Sequence, residues 1–439
     1  MTGYQILHFD LAQPLPALAL GQQPIYSLFW WHDIPLGSAI ILPADLPLSS
    51  AALATLATQT ISPVVQKYLQ EKGIEKGSKR DSKISSLQLE DWLALAAPLE
   101  QIFPQSATAS DSAAISVSLV VCTRDRPEQL VGCLRSLQAL SPPADEIIVV
   151  DNAPTDTATR DLVHRFAGIR YVHEPQPGLS NARNSGISHS KGDIVVFTDD
   201  DVCVHPRWLP PIKAAFAASK VMAVTGIVIP TELKTDSQIL FEFSYGYLHN
   251  GYQPQTFDET FFKQHQRQGV PVWDIGAGAN MAFRREIFEK VGAFDPRLGA
   301  GAAGCSEDSE MWYRILAAGW HCQYVPAAVV YHTHRESDAA LDQQMRAYMQ
   351  GHVTALLVQF AQFGHWGNLR RLFFSLPKYL LRLLITAIRR RFRARHRTYW
   401  SEVSGYFSGF PTYFRLAHLS PKRFHTAIVN ESSALNKVS

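Results

Sequence analysis

Three consecutive aspartates follow a short apolar run, and they are the residues of this chain best suited to do chemistry. Residues 194–198 are rich in β-branched side chains and predict a buried strand that ends at Asp199, Asp200 and Asp201. Carboxylates crowded at the tip of a buried strand repel one another and are costly to desolvate. A divalent cation would relieve that cost, as Mg²⁺ does when it binds one or two carboxylates and substrate phosphates. The alternative is an acidic turn, because Asp is common in turns.

The overall composition sets only broad limits on function. The chain has 439 residues, enough for two or three domains, and its 41 Lys and Arg balance 39 Asp and Glu. The five cysteines show no Cys-x-x-Cys spacing, which is typical of free thiols in a reducing compartment. No basic-then-apolar leader opens the sequence, and no run of about 18 uncharged apolar residues occurs in it. We therefore expect a cytoplasmic protein without a membrane-spanning helix.

Shifts in composition divide the chain into four parts. They are an N-terminal α+β accessory region (1–104), a linker of small polar residues (105–114), an α/β domain that carries the aspartates (115–340) and a helical, basic C-terminal region (341–439).

The N-terminal region has its own strand and helix patterns. Apolar runs at 25–31 and 37–42 predict two strands joined by a turn at 33–36, and a helix is expected over about 49–70. Residues 71–86 are rich in Lys, Gly and Ser and predict a mobile loop. The sequence leaves open whether this region binds a partner or packs on the next domain.

From residue 115 onward, strand patterns alternate with helix patterns. Strands are predicted over 117–122, 146–151, 169–172 and 194–198, and helices over 127–140, 157–166 and 179–189. This alternation predicts a mostly parallel sheet covered by helices, in which ligands bind at the carboxyl ends of the strands. Fold class alone does not establish function.

Five short motifs occur in order along the α/β domain. They are VVCTRDRP (120–127), VVDNAPTD (149–156), GLSNARNSG (178–186), DDD (199–201) and SEDSEMW (306–312). Together they resemble family 2 glycosyltransferases over about residues 116–334. The resemblance implies the GT-A fold, a Rossmann-like mixed sheet with helices on both faces. It also implies inverting transfer of a sugar from a nucleotide-diphosphate donor to a hydroxyl acceptor.

The resemblance assigns one group of residues to the donor. The helix predicted at 179–189 supports this for Arg183, because a helix N-terminus and a guanidinium both favour phosphate. Asn152 stands where the family often has Asp, and Arg124 where it often has Tyr, so the base stays open, with UDP as the default and dTDP or GDP as alternatives. Asp151 could instead cap a turn, and Arg183 could be an ordinary surface residue. The donor residues implied are Thr123, Arg124, Arg126, Asp151, Asn152, Arg183, Asp199 and Asp200.

A second group would hold the metal. The resemblance implies that Asp201, with Asp199, binds Mn²⁺ or Mg²⁺ through the donor diphosphate, so that the cation neutralises the leaving group. His332 matches a histidine at a later strand end and would complete the site, with His334 as the less favoured choice. A lone histidine is also commonly a packed or surface residue.

The last group lies on the acceptor side. Displacement at the anomeric carbon needs a base for the acceptor hydroxyl, and the resemblance implies Asp308 in that role, with Glu307 positioning substrate or acting as a second base. An acidic pair can also simply favour the start of a helix. Residues 273–284, interpreted as Gly-rich and then helical, resemble the acceptor-side segment and include Gly278 and Asn280.

The C-terminal region favours contact with a membrane. Residues 372–388 are apolar but interrupted by Pro377, Lys378 and Arg382, and an arginine-rich segment follows at 389–397. A basic amphipathic helix can lie in an anionic membrane interface. A solvated or packed helix is the alternative, and nucleic acid is disfavoured because no aromatic residues are interleaved as a stacking platform. We therefore expect a glycan or glycolipid acceptor made at the inner face of the cell membrane, as in surface polysaccharide synthesis.

Two other functional classes stay open at this point. A nucleotidyltransferase also combines an α/β sheet with acidic metal ligands, but it commonly has a Gly-rich loop after the first strand, and residues 122–127 contain no glycine. A non-catalytic protein that binds nucleotide sugars would need no base, and the intact acids at Asp199, Asp201 and Asp308 argue against it.

Overall fold

A computed structural model describes residues 3–71, 99–100, 115–245, 250–389 and 396–419. Three sequence expectations lie wholly or partly outside the described residues. They are the loop at 71–86 (all but its first residue), the linker at 105–114 and the part of the arginine-rich segment at 390–395.

The N-terminal region forms a three-stranded sheet backed by one helix. Its elements are β1 (Gln5–Asp10), β2 (Ile25–Trp31), β3 (Ile34–Ile41) and α1 (Ser50–Glu71). Strand β2 is central, parallel to β1 and antiparallel to β3. Strand β1 has no counterpart in the prediction, and the turn predicted at 33–36 is wrong. β3 already begins at Ile34, and His32 makes the tight turn with a left-handed φ of 51°.

The N-terminal sheet packs directly on the α/β domain. Every residue of β2 is buried, because its side chains alternate between two apolar neighbours. Phe29 and Trp31 pack against α1, whereas Tyr26 and Trp30 belong to the core of the α/β domain. The backbone N–H of Tyr4 also donates to the carbonyl of Leu233 at 2.7 Å. The N-terminal region is therefore part of one packed body with the domain that carries the aspartates.

The α/β domain has the predicted alternation of strands and helices. Its strands are β4 (Val117–Thr123), β5 (Glu146–Asn152), β6 (Ile169–Glu174), β7 (Ile194–Asp199), β8 (Val202–Val204), β9 (Val221–Pro230), β10 (Gln255–Phe257), β11 (Asn280–Arg284) and β12 (His321–His332). Its helices are α2 (Pro127–Gln138), α3 (Ala158–Val163), α4 (Leu179–His189), α5 (Leu209–Ala215), α6 (Asp236–Leu240), α7 (Glu259–His265), α8 (Ile287–Val291) and α9 (Glu307–Ala317).

The strands form one mixed sheet in the order β10-β12-β9-β11-β7-β4-β5-β6, with β8 paired to β12. Strands β7, β4, β5 and β6 are parallel, whereas β11 runs antiparallel to both β7 and β9. The chain runs outward from β4 to β6 and then returns to place β7 on the other side of β4. The crevice at the carboxyl ends of β4 and β7 is therefore the switch point where such sheets bind ligands.

Helices cover both faces of this sheet, as the α/β prediction required. Along β4, Val120 and Cys122 face the core that contains α4 and α9, and Leu119 and Val121 face the core that contains α2 and α5. Because both faces are covered, all seven residues of β4 are buried. The five cysteines are free thiols, in agreement with the sequence interpretation.

One predicted element has a different structure. Residues 273–284 were expected to be Gly-rich and then helical, but the segment contains a short 3₁₀ turn (Val272–Ile275) and then strand β11. The sequence of β11, Asn-Met-Ala-Phe-Arg, has no strong strand preference of its own. Its position between β7 and β9 supplies backbone partners on both sides, so tertiary context outweighs local propensity.

The described part of the C-terminal region is helical, as predicted, and residues 420–439 lie outside the described residues. It contains α10 (Asp338–Phe363), α11 (Trp366–Arg370), a π turn (Arg371–Ser375), α12 (Leu376–Arg389) and α13 (Tyr399–Arg415). The boundary expected at 340/341 falls inside the first turn of α10. Within the described ranges, none of the helices combines the length and apolarity that crossing a bilayer requires.

Helix α13 lies unusually close to α10 because of two glycines. A Cβ at Gly405 would lie 2.4 Å from the carbonyl oxygen of Arg346, and one at Gly409 would lie 2.5 Å from Val353. Neither position tolerates a side chain without moving the helices apart. The two glycines therefore fix how the C-terminal helices pack together.

We predict that Gly405→Val loosens α13 from α10. Overpacking of this kind costs about 1–3 kcal/mol, so the thermal midpoint should fall and proteases should cleave the C-terminal helices more readily. Ser404→Val is the matched control, since Ser404 is exposed on the same helix and the substitution adds the same β-branched side chain. Equal thermal midpoints for the two variants would contradict the close-packing account.

Candidate active site

A cavity of about 1060 Å³ opens at the carboxyl ends of β4 and β7. One half is lined by the strand ends and by the start of α9, and the other half by residues of α10, α12 and α13. All but two of the residues predicted from sequence line this one cavity. Those that do are Thr123, Arg124, Arg126, Asn152, Arg183, Asp199, Asp200, Asp201, Gly278, Glu307, Asp308 and His332.

Asp200 is held on both oxygens by the protein itself. Thr123 Oγ1 donates to one oxygen at 2.7 Å, and Arg126 Nη1 donates to the other at 2.6 Å. Burial raises the pKa of Asp200 to about 7, although Arg126 opposes the shift. With both oxygens engaged, Asp200 ties the end of β4 to the end of β7 and has little capacity left to hold a ligand.

Asp201 is the most cation-rich of the three aspartates. Arg126 Nη2 donates to its Oδ2 at 2.8 Å, and Arg335 Nη1 lies 3.6 Å from the same oxygen. Burial alone would raise the pKa of Asp201, but His332, Arg126 and Arg335 outweigh it and lower that pKa. Burial also lowers the pKa of His332 to about 4, although Asp201 opposes the shift, so this imidazole is neutral near pH 7. An ionised carboxylate therefore stands beside a neutral imidazole.

The pair formed by Asp201 and His332 fits a divalent cation. Asp201 Oδ1 lies 3.5 Å from His332 Nε2, so one oxygen donor and one nitrogen donor face the same part of the cavity and would together hold a divalent cation. Within the described ranges, no cluster of three or more His, Cys, Asp or Glu residues could hold a metal by itself. Two protein ligands would therefore have to be completed by substrate oxygens or water, as is common for Mg²⁺.

Asp199 is tied to the acidic pair at the start of α9 through one arginine. Arg183 is buried, ion-pairs with Glu307 Oε1, and has Nη2 3.5 Å from Asp199 Oδ1. Burial raises the pKa of Asp199 to about 6, and the charge of Arg183 limits the rise. Burial likewise raises the pKa of Glu307 against the effect of Arg183. Arg183 thus neutralises acids from two elements, and because it is buried it is not the ordinary surface residue of the alternative reading.

Asp308 keeps a carboxylate oxygen toward the cavity. The Ser309 backbone N–H donates to Asp308 Oδ1 at 2.6 Å, and the Ser309 hydroxyl and the Gly278 backbone N–H also donate to this carboxylate. Burial raises the pKa of Asp308, and Arg183 counteracts the rise. A Cβ at Gly278 would lie 3.0 Å from both Asp308 Oδ2 and Arg183 Nη2. Glycine at position 278 therefore keeps the space around this carboxylate clear.

Strained backbone marks three edges of the site. Asp125, Ala153 and Ser306 have left-handed φ values of 52°, 46° and 72°, which are uncommon for residues other than glycine. They follow β4, follow β5 and precede α9, respectively. Such conformations cluster at functional sites, where the surrounding structure maintains them.

The two residues predicted near the base and ribose have different environments. Asn152 lines the cavity, but its amide holds the turn before α4, since it donates to Gln176 and accepts from the Gly178 N–H at 2.8 Å. Asp151 does not line the cavity. Its Oδ2 accepts from the Tyr171 hydroxyl at 3.0 Å, whereas its buried Oδ1 has no partner within the described part of the chain.

The acceptor-side prediction for Asn280 is not supported by the structure. Asn280 is fully buried, and its amide accepts from Trp208 Nε1 and donates to the carbonyls of Ile227 and Ala328. It binds β11 to β9 and β12 and has no donor left for a substrate. Gly278, two residues earlier, lines the cavity and is the part of this prediction that reaches the site.

Sequence reasoning missed the wall supplied by the C-terminal helices. Arg371 lies over the ring of Trp273, 3.6 Å from its centroid, and donates through Nε to His352 at 3.0 Å. All three residues line the cavity, together with Tyr348 and Tyr379. No local signal placed Arg371 and His352 there, whereas Trp273 begins the segment 273–284 that was expected on the acceptor side. Arg335 was also missed, although it follows His332 closely.

Comparison with known proteins identifies the domain. Residues 118–292 match the family model described as Glycosyl transferase family 2. Three relatives match about half of the chain: mouse polypeptide N-acetylgalactosaminyltransferase 15 (25% identity over 241 residues), glycosyltransferase AglE of Haloferax volcanii (24% over 237) and pre-mycofactocin glycosyltransferase of Mycobacterium tuberculosis (25% over 222).

The matched stretch spans 36%, 71% and 43% of these relatives and 51%, 52% and 50% of this chain. Among solved structures, a mannosyltransferase of Pyrobaculum calidifontis in complex with GDP-Man and Mn²⁺ aligns over 82% of this chain and 97% of its own. The TM-score is 0.48 and the sequence identity 16%.

We predict that the aspartate cluster depends on Arg126 for stability. Arg126→Gln leaves Asp200 and Asp201 without their shared cation, which should lower the free energy of unfolding by about 2 kcal/mol, less than for a fully buried pair because the Arg126 side chain is 32% exposed. Mn²⁺ should raise the thermal midpoint of this variant more than that of the wild type, because the ion replaces the lost charge. Arg124→Gln is the control, since Arg124 is exposed and lies 3.7 Å from Asp125 alone. A variant with the stability of the wild type would contradict this account.

Proposed function

We propose that this chain, whose residues 118–292 match the glycosyl transferase family 2 model, is an inverting, metal-dependent glycosyltransferase. One observation carries the proposal. The neutral His332 beside the ionised Asp201, and the accessible carboxylate of Asp308, open into the same cavity at the carboxyl ends of β4 and β7. The first pair suits a cation that holds a diphosphate, and the second group suits a base. Inversion is implied by the family.

The donor is a sugar linked to a nucleoside diphosphate, with UDP as the default nucleotide. Its base and ribose are proposed to lie near Thr123, Arg124 and Asn152, at the ends of β4 and β5. Asp151 lies beside this edge but does not line the cavity, so contact between its buried Oδ1 and the base stays a prediction. Uracil, thymine and guanine all offer an N–H, so this contact would not select among UDP, dTDP and GDP.

Asp201 and His332 are proposed to hold the cation, with Asp199 facing it across the cavity. When bound, the cation would stabilise the negative charge that develops on the leaving diphosphate. A mixed oxygen and nitrogen pair favours Mn²⁺ over Mg²⁺, because Mg²⁺ prefers oxygen ligands. Arg335 points at the same carboxylate and would contribute a further positive charge to the diphosphate.

Asp308 is the proposed general base. Its carboxylate takes the proton from the acceptor hydroxyl as that oxygen attacks the anomeric carbon, and the bond between this carbon and the diphosphate oxygen breaks. Glu307 cannot readily share the role, since it is buried in an ion pair with Arg183. We assign Glu307 a positioning role, because its ion pair keeps Arg183 between Asp199 and the acids at the start of α9.

The acceptor is proposed to enter from the half of the cavity lined by the C-terminal helices. The outer surface of those helices is unusually apolar. Large exposed side chains form one stripe on α12 and the preceding π turn (Phe374, Leu381, Ile385 and Ile388) and another on α13 (Trp400, Phe407 and Phe414). Their spacings of three, four and seven residues place each stripe on one helix face. An exposed apolar surface of this size marks an interaction site.

Charge around these stripes supports an anionic bilayer as the partner. Lys378, Arg382 and Arg389 on α12 and Arg415 on α13 are exposed. No Asp or Glu occurs between Gln343 and Ser401. Aromatic and aliphatic side chains flanked by basic ones are typical of helices that lie in the headgroup region. We therefore propose peripheral contact with the inner face of the cell membrane, where a lipid-linked glycan would be the acceptor.

We predict that Asp308→Asn lowers turnover by about 100-fold or more, because general-base catalysis contributes at least that much. Release of nucleoside diphosphate from a panel of nucleotide sugars, with Mn²⁺ present, measures turnover even when water is the acceptor. Donor affinity should stay within about threefold of the wild type, since Asp308 does not hold the nucleotide. Glu289→Gln, an exposed acid on α8, is the control. Full activity of Asp308→Asn would overturn the assignment.

The pH profile should show the raised pKa of Asp308. A base acts when it has lost its proton, so turnover should fall as the pH decreases toward that pKa, and the decline should begin above the ordinary aspartate range. An acid limb at the pH of an unperturbed aspartate would contradict burial of this group. The limb should be absent from the residual activity of Asp308→Asn.

Membrane contact is tested by a triple substitution. Phe374→Ser, Leu381→Ser and Ile385→Ser together should weaken binding to vesicles of phosphatidylcholine with phosphatidylglycerol by at least about tenfold. Binding of the wild type should also decrease with added salt, because surface charges are screened. The matched control changes three exposed apolar residues of the N-terminal region, Leu20, Ile40 and Leu42, to serine. Equal vesicle binding by the two triple variants would refute this surface as the contact.

A further inference from the structure

A row of buried polar side chains lies behind the proposed metal pair. Glu242, in the π turn after α6, has Oε2 3.0 Å from Nε2 of His334. The other ring nitrogen of His334, Nδ1, lies 3.1 Å from Nδ1 of His332. His332 in turn presents Nε2 to Asp201. Glu242 and His334 are only 7% and 2% exposed, so the two groups are shielded from water and depend on one another.

When Glu242 is ionised and both imidazoles are neutral, the hydrogen-bonding partners fix where each proton lies. A carboxylate only accepts hydrogen bonds, so Nε2 of His334 must donate to Glu242. A neutral imidazole that carries its proton on Nε2 has a lone pair on Nδ1. Nδ1 of His334 is therefore an acceptor, and the nitrogen that faces it, Nδ1 of His332, must be the donor. His332 consequently has a bare lone pair on Nε2.

The geometry on the far side of His332 agrees with this assignment. The distance of 3.5 Å between His332 Nε2 and Asp201 Oδ1 exceeds that of an ordinary N–H···O bond. If Nε2 of His332 carried the proton, we would expect it to donate a hydrogen bond to Asp201 at a shorter distance. With no proton between them, His332 Nε2 and Asp201 Oδ1 can both donate electron pairs to one cation.

We propose that Glu242 and His334 are positioning residues for the metal site, acting through His332. Glu242 sets the tautomer of His334, His334 sets that of His332, and His332 then presents its lone pair to the cation beside Asp201. Metal-bound histidines commonly donate their other nitrogen to a carboxylate, and here a second histidine extends that arrangement by one step. The inference rests on the proposed metal site, but the protonation pattern itself belongs to the metal-free protein.

The relay also gives the N-terminal region a connection to the site. The Tyr26 hydroxyl, on β2, donates to Glu242 Oε1 at 3.3 Å. The edge of the Phe241 ring packs on His334, with ring centroids 4.9 Å apart. One oxygen of Glu242 thus accepts a hydrogen bond from the N-terminal sheet, and the other accepts one from His334. Since the bond to Tyr26 is long, we expect it to contribute less than the bond to His334.

The first test reads the tautomer directly. Nitrogen-15 NMR of the wild-type protein labelled in its histidine rings, with no metal added, separates protonated from bare ring nitrogens. The signals of His332 and His334 are assigned by their loss in His332→Gln and His334→Gln. We expect Nδ1 of His332 to be protonated and Nε2 bare, and the reverse for His334. A proton on Nε2 of His332 would overturn the proposal, whether or not the protein transfers sugar.

The second test measures metal affinity with matched variants. Glu242→Leu removes the acceptor at similar volume and should weaken Mn²⁺ binding in the presence of UDP by about 10–100-fold, as is usual when the partner of a metal ligand is lost. Tyr26→Phe, which removes the hydrogen bond to Oε1 of Glu242, should change Mn²⁺ affinity by less than about threefold. Calorimetry gives both affinities, and far-ultraviolet circular dichroism checks that each variant is folded.

The outcomes separate this inference from the proposed function. Equal Mn²⁺ affinity of folded Glu242→Leu and wild type would overturn the relay while leaving the metal site intact. Failure of the wild type to bind Mn²⁺ with any nucleoside diphosphate would instead overturn the metal site. In folded Glu242→Leu, the ring signals of His332 should also shift toward a protonated Nε2, a change that a purely structural role for Glu242 would not produce. If Glu242→Leu does not fold, the wild-type spectra still decide the matter.

Discussion

The constraint on which this structure depends is the burial of several carboxyl groups around one cavity. Asp199, Asp200, Asp201, Glu307 and Asp308 converge there from β7, the turn after it and α9, and three guanidiniums face them. Each guanidinium pairs with particular acids, so the pKa values of the carboxyl groups differ. The pKa values of Asp199 and Asp200 are raised to about 6 and about 7, whereas that of Asp201 is lowered. These differences underlie the distinct roles that we propose for the acids in structural pairing, metal binding and base catalysis.

The same ion pairs join the two halves of the cavity. Arg183 connects the strand tip at Asp199 with Glu307 on α9, and Gly278 leaves room for Arg183 and Asp308 to stand side by side. The flanking regions complete the enclosure. The N-terminal sheet packs behind the strands and contacts the buried Glu242, and the C-terminal helices form the wall opposite the strand ends. Asp308 therefore lies in a cavity between the α/β domain and helices whose outer surface is apolar and basic.

The sequence was informative wherever function depends on local pattern. Apolar runs located the parallel strands within one or two residues, and polar residues just after those strands reached a common cavity because parallel strands end at one edge. The sequence was less informative where contacts between distant parts of the chain determine the role of a residue. From sequence alone, the amide of Asn280 could bind a substrate or stabilise the sheet. Only its hydrogen bonds to β9 and β12 show that it stabilises the sheet. The ion pair of Arg183 with Glu307, 124 residues away, could not be read from the sequence. Glu242 gave no signal, and His334 was named only as the less favoured metal ligand, since the role that we propose for both arises from contact with His332.

The central claim is that a cation held by Asp201 and His332 binds a nucleoside diphosphate in this cavity. The most direct test is calorimetric titration of the protein with UDP, dTDP and GDP, with and without Mn²⁺, repeated with Asp201→Ala. The account predicts that one nucleotide binds only when Mn²⁺ is present and that Asp201→Ala abolishes this binding. Tight binding without the metal, or binding that survives in Asp201→Ala, would contradict the role of the Asp201 and His332 pair. Failure of all three nucleotides to bind under either condition would contradict the donor site itself.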